Sequence, residues 1–259
     1  MIIEFGVFFT VLSIAIITYW SRILDIWGVI LATILGFYVY LAGGFHLFLS
    51  LLLFHIFGGI ITRYKYLKKR SRGIAEDKDW SRGWKNVLSN GFWVAAYLLL
   101  HSEGFVASLG GLATAIADTF ATEVGLLSRK KPRLITNPLR EVEHGASGGV
   151  TAIGYLGGIL GIFLMLLPET FSNISVEIVM TTVAGGIVGC TVDSILGATI
   201  QGLYRCEVCN SLTERKIHCG ARTKKERGFR VIDNNIVNFI STGIGGMVSL
   251  LLFMAPPSI

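Results

Sequence analysis

Eight apolar runs, each about long enough to cross a bilayer as a helix, dominate the chain. They fall near 3–20, 25–42, 45–62, 87–103, 105–127, 147–167, 175–200 and 235–254. A crossing needs roughly 20 apolar residues. Little is left over for a soluble domain, and the composition agrees: 52% of residues are hydrophobic and 15% charged, against about 25% charged in soluble domains. The expected class is therefore all-α: a polytopic membrane protein of about eight transmembrane helices, forming one integral membrane domain over 1–259. The first run opens with Glu4 and has neither a basic leader nor a small-residue cleavage site. It is read as a mature helix and not as a signal peptide.

The net charge of +6 would suit nucleic acid, but the positions of the cations do not. All 23 Lys and Arg fall in alternate loops: Arg22, then the loops of about 63–86, 128–146 and 201–232. The opposite loops, near 43–44, 102–104 and 168–174, hold none. The positive-inside rule puts the basic loops in the cytoplasm and both termini outside the cell membrane. Topology and contact with anionic lipid account for most of these cations, and no nucleic-acid partner is expected. In 63–86, Tyr64, Tyr66, Trp80 and Trp84 punctuate the charges, as in a segment lying at headgroup level; Lys85 and Asn86 stand at the mouth of the fourth span. His46 and His55 are lone histidines in apolar runs and read as packed or interfacial residues.

Glu4, Asp25, Glu103 and Glu177 stand at or near the ends of the apolar runs, whereas Asp118, Glu123 and Asp193 stand inside them. Each costs about 2.5–3.5 kcal/mol to insert, which marks intramembrane acids as functional candidates. At about 1.5 Å per residue, Asp118 lies roughly 15 Å and Asp193 roughly 12 Å from the cytoplasmic ends of their spans. One polar cavity open to the cytoplasm can take both, with Asn234, Asn235 and Asn238 at its mouth. Asp118 and Glu123 fall about 140° apart on an ideal helix. Either the helix unwinds near Ala121 or the two acids serve different partners.

Carboxylates and amides form a hard-oxygen set suited to Mg²⁺, with Asp118, Glu123 and Asp193 as its ligands. Lys130, Lys131, Arg133, Arg140 and His144 supply positive charge for phosphate. Ser147, Gly148 and Gly149 lie in a Gly-rich turn that leads into a helix N-terminus, a place that favours anions. Thr119, Thr122 and Ser194 flank the acids. No Walker A ending is present. Gly110-Gly111-x6-Asp118-Thr119 matches Gly185-Gly186-x6-Asp193-Ser194; one span separates the two helices, so they run in the same direction, as in a parallel internal repeat. Cys206-x2-Cys209-x8-His218-Cys219 can bind a structural Zn²⁺ through three Cys and one His, or remain reduced thiols in a cytoplasmic loop. The adjacency of His218 and Cys219 is awkward for one metal.

ADTFATEVG at 117–125, PRLIT at 132–136, HGASGGVT at 144–151, DSILGATIQ at 193–201 and DNNIVN at 233–238, with VLSNG at 87–91, resemble the motifs of the transmembrane protein 19 / phytyl-phosphate kinase family. The resemblance covers most of the chain. It implies a membrane kinase that uses CTP to convert an isoprenyl monophosphate, such as phytyl or geranylgeranyl phosphate, into the diphosphate. It also implies kinship with CTP-using phytol and dolichol kinases. In the last motif relatives often carry Asn-Asp where this chain has Asn234-Asn235. The expected partners are CTP or another nucleotide, an isoprenyl phosphate and Mg²⁺. The residues also fit an ion-coupled secondary transporter, whose repeated spans and buried acids look alike, or a nucleotidyltransferase that makes a CDP-lipid.

Overall fold

A computed structural model describes residues 2–64 and 83–255, with side chains from residue 10 onward. The aromatic and basic stretch 65–82, with Tyr66 and Trp80, lies outside the described residues. Among the described residues, seven α-helices follow in order: α1 Ile2–Trp20, α2 Ile26–Arg63, α3 Trp84–Tyr97, α4 His101–Gly125, α5 Ala152–Leu166, α6 Val176–Thr199 and α7 Asn234–Met254. Among the described residues, five segments are long and apolar enough to cross a membrane: Ile26–Arg63, Trp84–Gly125, Ala152–Phe171, Val176–Thr199 and Asn234–Met254. The apolar runs predict about eight. Two of the five are unusually long and each contains a break, and α1, an apolar helix over Thr10–Trp20, is too short to be among the five.

In α2 the break is Gly44, whose φ of 83° is open to glycine and costly to side chains with a Cβ. Beyond it the helix returns along itself, so that Gly36 packs on Phe48 and the Tyr40 and Phe48 rings meet edge-on at 6.0 Å. Between α3 and α4 the break is a 3-10 turn, Leu98–Leu100, followed by His101 at φ 56°. Across that hairpin the Ser108 hydroxyl donates to the Val94 carbonyl at 2.8 Å.

Helix α4 is the axis of the bundle. Every residue over 106–117 is buried, and α3, α5, α6 and α7 all pack on it. Small residues let these helices approach, as expected where lipid offers no hydrophobic drive for association. Gly154, Gly157, Gly158 and Gly161 form an i, i+3, i+4, i+7 stripe along α5. A Cβ on Gly158 would stand 3.0 Å from the Ala117 carbonyl oxygen, and one on Gly161 would stand 2.9 Å from the Phe120 ring. The outward face of α5, with Leu156, Leu160 and Phe163, is exposed and apolar, as a lipid-facing surface must be. The two matched Gly-Gly pairs occupy matched places: a Cβ on Gly110 or on Gly185 would run into the same Ser249 hydroxyl of α7.

The loops at one end carry short antiparallel strands, so the all-α expectation holds for the bundle and not for the loops. One sheet has the order β2-β1-β3, from Arg133–Leu134 (β1), Asn137–Glu141 (β2) and Gly149–Val150 (β3). A second has the order β5-β4-β8, from Leu203–Arg205 (β4), Leu212–Thr213 (β5) and Lys224–Arg227 (β8). Ile217–His218 (β6) and Ala221–Arg222 (β7) form a separate hairpin. At the opposite end a 3-10 turn, Leu167–Phe171, buries Glu169 completely; its carboxylate accepts from the Ser50 and Ser172 hydroxyls, each at 3.1 Å. Glu169 closes that end of the bundle through these hydrogen bonds and is not among the residues that line the cavity described below.

Candidate functional site

The loop end of the bundle encloses a cavity of about 290 Å³. Asp118 reaches it from α4 and Asp193 from α6, and the two carboxyl groups lie within hydrogen-bonding reach of each other. Asp193 is 8% exposed. Its Oδ2 accepts from the Ser241 hydroxyl at 2.9 Å and, with the amide nitrogen turned toward it, from Asn238 at 3.1 Å. Both donors come from α7, so three helices fix one carboxylate.

Glu123 also lines the cavity. Helix α4 continues unbroken through Ala121 to Gly125, so the helix does not unwind there, and both acids nevertheless line the one cavity. Thr119, Thr122, Ser147, Gly148, Gly149, Ser194, Asn234 and Asn238 line it as well. Glu214, from the loop after β5, is the fourth acid on its wall. Among the described residues, no Lys or Arg lines it. Acids in contact inside a low-dielectric wall cannot all remain charged without a cation or proton between them. That donor set fits a hard divalent cation.

The Gly turn closes one side. Gly145 and Gly148 take φ of 83° and 77°, and Gly148 presses so closely on α6 that a Cβ would stand 2.4 Å from the Ala198 methyl. The Gly149 N–H is already committed to the Ala146 carbonyl at 2.9 Å. The Ser147 hydroxyl donates to Glu214 Oε1 at 2.6 Å. Helix α5 starts after this turn, capped by the Thr151 hydroxyl, which accepts from the Gly154 N–H at 3.0 Å.

The expected cations are set outside the cavity wall. Lys131 pairs with Glu143 at 2.7 Å on the surface, which raises the lysine and lowers the glutamate relative to their ordinary pKa values. Arg133 donates to the Pro138 carbonyl at 3.2 Å, His144 lies 3.1 Å from the Ser128 carbonyl oxygen, and Lys130 is exposed. Arg140 stands near Arg227. Burial, then repulsion from Arg140, pull the Arg227 guanidinium below its ordinary value, while Glu214 opposes them. Arg227 donates to the carbonyls of Ser147 at 3.1 Å and Gly197 at 3.2 Å. Arg227 is thus held against two residues of the cavity wall, with the exposed Arg140 near it. Asn235 is half-buried beside the cavity and not on its wall. Asp233 caps α7, accepting from the Ile236 N–H at 3.1 Å.

Sequence reasoning passed over Gln201, although it stands in the DSILGATIQ motif. It is 2% exposed, lines the cavity, and its amide nitrogen has no hydrogen-bond partner among the described residues. A buried donor left unsatisfied is unusual and marks a place for a ligand oxygen. In the sequence Asn90 stands out only as part of VLSNG. With Thr62 and Asn86 it lines both this cavity and a neighbouring one of about 130 Å³. The second cavity is apolar, walled by α1, both halves of α2 and the start of α3, with Val29, Val39, Phe48 and Leu51 among its residues. His55 hydrogen-bonds with Thr18 at 3.0 Å on its wall, consistent with a packed residue.

The Cys/His group assembles. Ligand atoms of Cys206, Cys209, His218 and Cys219 all lie within 4.8 Å of one another. The Ser211 hydroxyl draws the Cys209 thiol down to about 6, and the hydrogen bond with Cys209 pushes Cys219 up to about 11.

The family model described as integral membrane protein DUF92 matches residues 9–246. An uncharacterized membrane protein of Methanocaldococcus jannaschii is 35% identical over 237 residues, covering 90% of this chain and 87% of that protein. Protein PGR of Arabidopsis thaliana is 29% identical over 272 residues, 92% of this chain and 93% of its own. Protein VTE6, chloroplastic, of the same plant is 24% identical over 235 residues, 87% of this chain and 64% of its own. No solved structure matches. These relatives fit the resemblance drawn from the motifs, and the chain belongs to the DUF92 family of integral membrane proteins.

Proposed function

We propose that this member of the DUF92 family is a membrane kinase that transfers the γ-phosphoryl group of CTP to an isoprenyl monophosphate, yielding the diphosphate and CDP. One observation carries the reading: a polar cavity walled by four acids adjoins an apolar one, and Thr62, Asn86 and Asn90 belong to both walls. A substrate with a phosphate head and a hydrocarbon tail needs that pairing. The similarity to VTE6 and PGR and the motif resemblance support the same class.

Asp118, Glu123 and Asp193 are the residues to hold Mg²⁺, which when bound would neutralise the triphosphate and let an anion enter an acidic cavity. Ser241 and Asn238 hold the Asp193 carboxylate in place. Arg140 and Arg227 draw phosphate to the mouth, with Lys130, Lys131, Arg133 and His144 on the approach. Ser147, Gly148 and Gly149 bound the phosphate from the turn, Thr119, Thr122 and Ser194 from the helices, and Gln201 donates its amide N–H to an oxygen of the ligand. Asn234 and Asn235 complete the polar shell. An oxygen of the isoprenyl phosphate forms the new bond to the γ-phosphorus, and the bond from that phosphorus to the β-phosphate oxygen breaks. A phosphate monoester has a second pKa near 6, so its attacking oxygen already carries charge at neutral pH and needs no strong base. In the membrane, the Gly44 break and the Leu98–Leu100 turn make two hairpins of the two longest segments. With α1, α5, α6 and α7 that gives eight crossings, the basic loops cytoplasmic, both termini outside, and α4 and α6 as the parallel pair of an internal repeat.

The test is incubation of purified protein in lipid nanodiscs with Mg²⁺, γ-labelled CTP or ATP, and a panel of isoprenols and isoprenyl phosphates. Label in the lipid diphosphate is expected. Unlabelled CDP-lipid with labelled pyrophosphate would make it a nucleotidyltransferase. Substrate uptake into liposomes without nucleotide would make it a transporter.

A further inference from the structure

The lobe between α6 and α7 has little to hold it together. Its strands run two to four residues, and Val208, Leu212, Ile217, Phe229 and Val231 are all exposed. Leu203, Tyr204 and Cys206 are buried where the lobe meets the bundle. A segment this small with so little core needs a staple. It nevertheless sets two groups at the cavity: Glu214, which accepts from the Ser147 hydroxyl, and Arg227, which grips the carbonyls of Ser147 and Gly197.

Each of its two turns carries two of the four cysteine and histidine side chains and contains left-handed backbone. Cys206 and Cys209 lie on a loop that Asn210 closes at φ 59°; the Asn210 N–H donates to the Cys206 carbonyl and the Cys206 N–H to the Ser211 carbonyl, each at 2.9 Å. His218 and Cys219 lie on the β6–β7 turn, where Cys219 and Gly220 take φ of 51° and 74°. The left-handed backbone at Cys219 removes the difficulty of adjacent ligands, because it swings that side chain back beside its neighbour. His218 Nδ1 lies 3.5 Å from Cys209 Sγ and 3.3 Å from Cys219 Sγ. Ligands at about 2.0–2.3 Å around a tetrahedral zinc stand roughly 3.5–3.8 Å from one another, so the spacing is close to that of a tetrahedral shell.

The geometry points to a structural zinc site made of Cys206, Cys209, His218 and Cys219, whose metal holds the lobe in the fold that places Glu214 on Ser147 and Arg227 on the Gly turn. Binding takes the three cysteines as thiolates and His218 as neutral imidazole, and any thiol protons leave to solvent. All four positions are filled by protein, which is the mark of a structural and not a catalytic zinc. The site does not depend on the kinase reading, since metal content and lobe order can be measured without turnover.

The full-length protein, purified in detergent under reducing conditions, is expected to carry about one zinc per chain by elemental analysis. Cys206→Ser and Cys209→Ser should each lose most of it, whereas Cys190→Ser, which removes the thiol in α6, keeps it. Cobalt exchanged into the wild type should give thiolate charge-transfer and tetrahedral d–d bands. Chelation should open 201–232 to limited proteolysis at least tenfold faster, with added zinc restoring protection. Absence of stoichiometric zinc and of the cobalt bands in wild-type protein would overturn the site. Zinc retained in both serine variants would overturn the ligand set, and unchanged proteolysis on chelation would overturn the role in holding the lobe.

Discussion

Asp193→Asn separates charge from shape. The asparagine carbonyl oxygen can still accept from Ser241 and Asn238, the two donors that hold Asp193 Oδ2 at 2.9 and 3.1 Å. What disappears is one negative charge in contact with Asp118. Two like charges 4 Å apart repel by about 4 kcal/mol at an effective dielectric of about 20, a cost that a shared proton or cation relieves. The variant without Mg²⁺ should therefore be as stable as wild type or more so, by up to about 4 kcal/mol. The response to Mg²⁺ should move the other way. A cation present at 100 times its Kd stabilises wild type by about 2.7 kcal/mol, or roughly 5–10 °C in a domain of this size, and the variant should lose most of that increment. The assay is thermal unfolding in detergent followed by tryptophan fluorescence across a Mg²⁺ titration. A variant that melts more than about 1 kcal/mol below wild type without Mg²⁺, yet keeps the full Mg²⁺ response, would refute a shared cation and make Asp193 a structural acid.

Further perturbations address the rest of the site. Asp118→Asn should abolish phosphoryl transfer while leaving expression and gel-filtration behaviour unchanged; wild-type turnover would remove it from the site. Gln201→Leu takes away an amide nitrogen that has no partner among the described residues, so thermal stability should hold while the nucleotide or lipid-phosphate KM rises about 3–10-fold, the worth of one neutral hydrogen bond. Ala32→Phe projects a ring into the apolar cavity and should raise KM for a twenty-carbon isoprenyl phosphate much more than for a five-carbon one, read from paired kinetics. Gly158→Val would drive a Cβ to 3.0 Å from the Ala117 carbonyl and should cost about 1–3 kcal/mol of overpacking, seen as a lower melting temperature and poorer yield.

The intramembrane acids were legible because burying Asp118 and Asp193 among apolar residues is costly, and a costly residue advertises itself. The Gly-Gly pairs were legible for a related reason: glycine weakens a helix unless something packs against it, and Ser249 packs against both. Gly44 sits where the turn between two apolar runs was expected, but nothing in the sequence shows that the chain stays helical on either side of it. Gln201, Asn86 and Asn90 were hard to weigh. Uncharged amides near span ends look like ordinary interfacial residues, and only packing reveals that one amide is stranded and that two bridge a pair of cavities. The position of Lys130, Lys131 and Arg133 was also hidden. It depends on a three-stranded sheet in which β1 and β3 are two residues long and β2 is exposed throughout, so no alternating pattern marks the hairpin that carries these cations outward. Arg227 lies 30 residues past Gly197, and its hold on the Ser147 and Gly197 carbonyls follows only from the lobe's fold.

Whether α4 and α6 jointly hold one divalent cation can be read from Mn²⁺ binding, followed by electron paramagnetic resonance on protein in nanodiscs. Wild type should show one tight site whose signal changes when CTP is added, and Asp118→Asn and Asp193→Asn should each weaken it at least tenfold. Equal Mn²⁺ binding in wild type and both variants, unchanged by CTP, would contradict it.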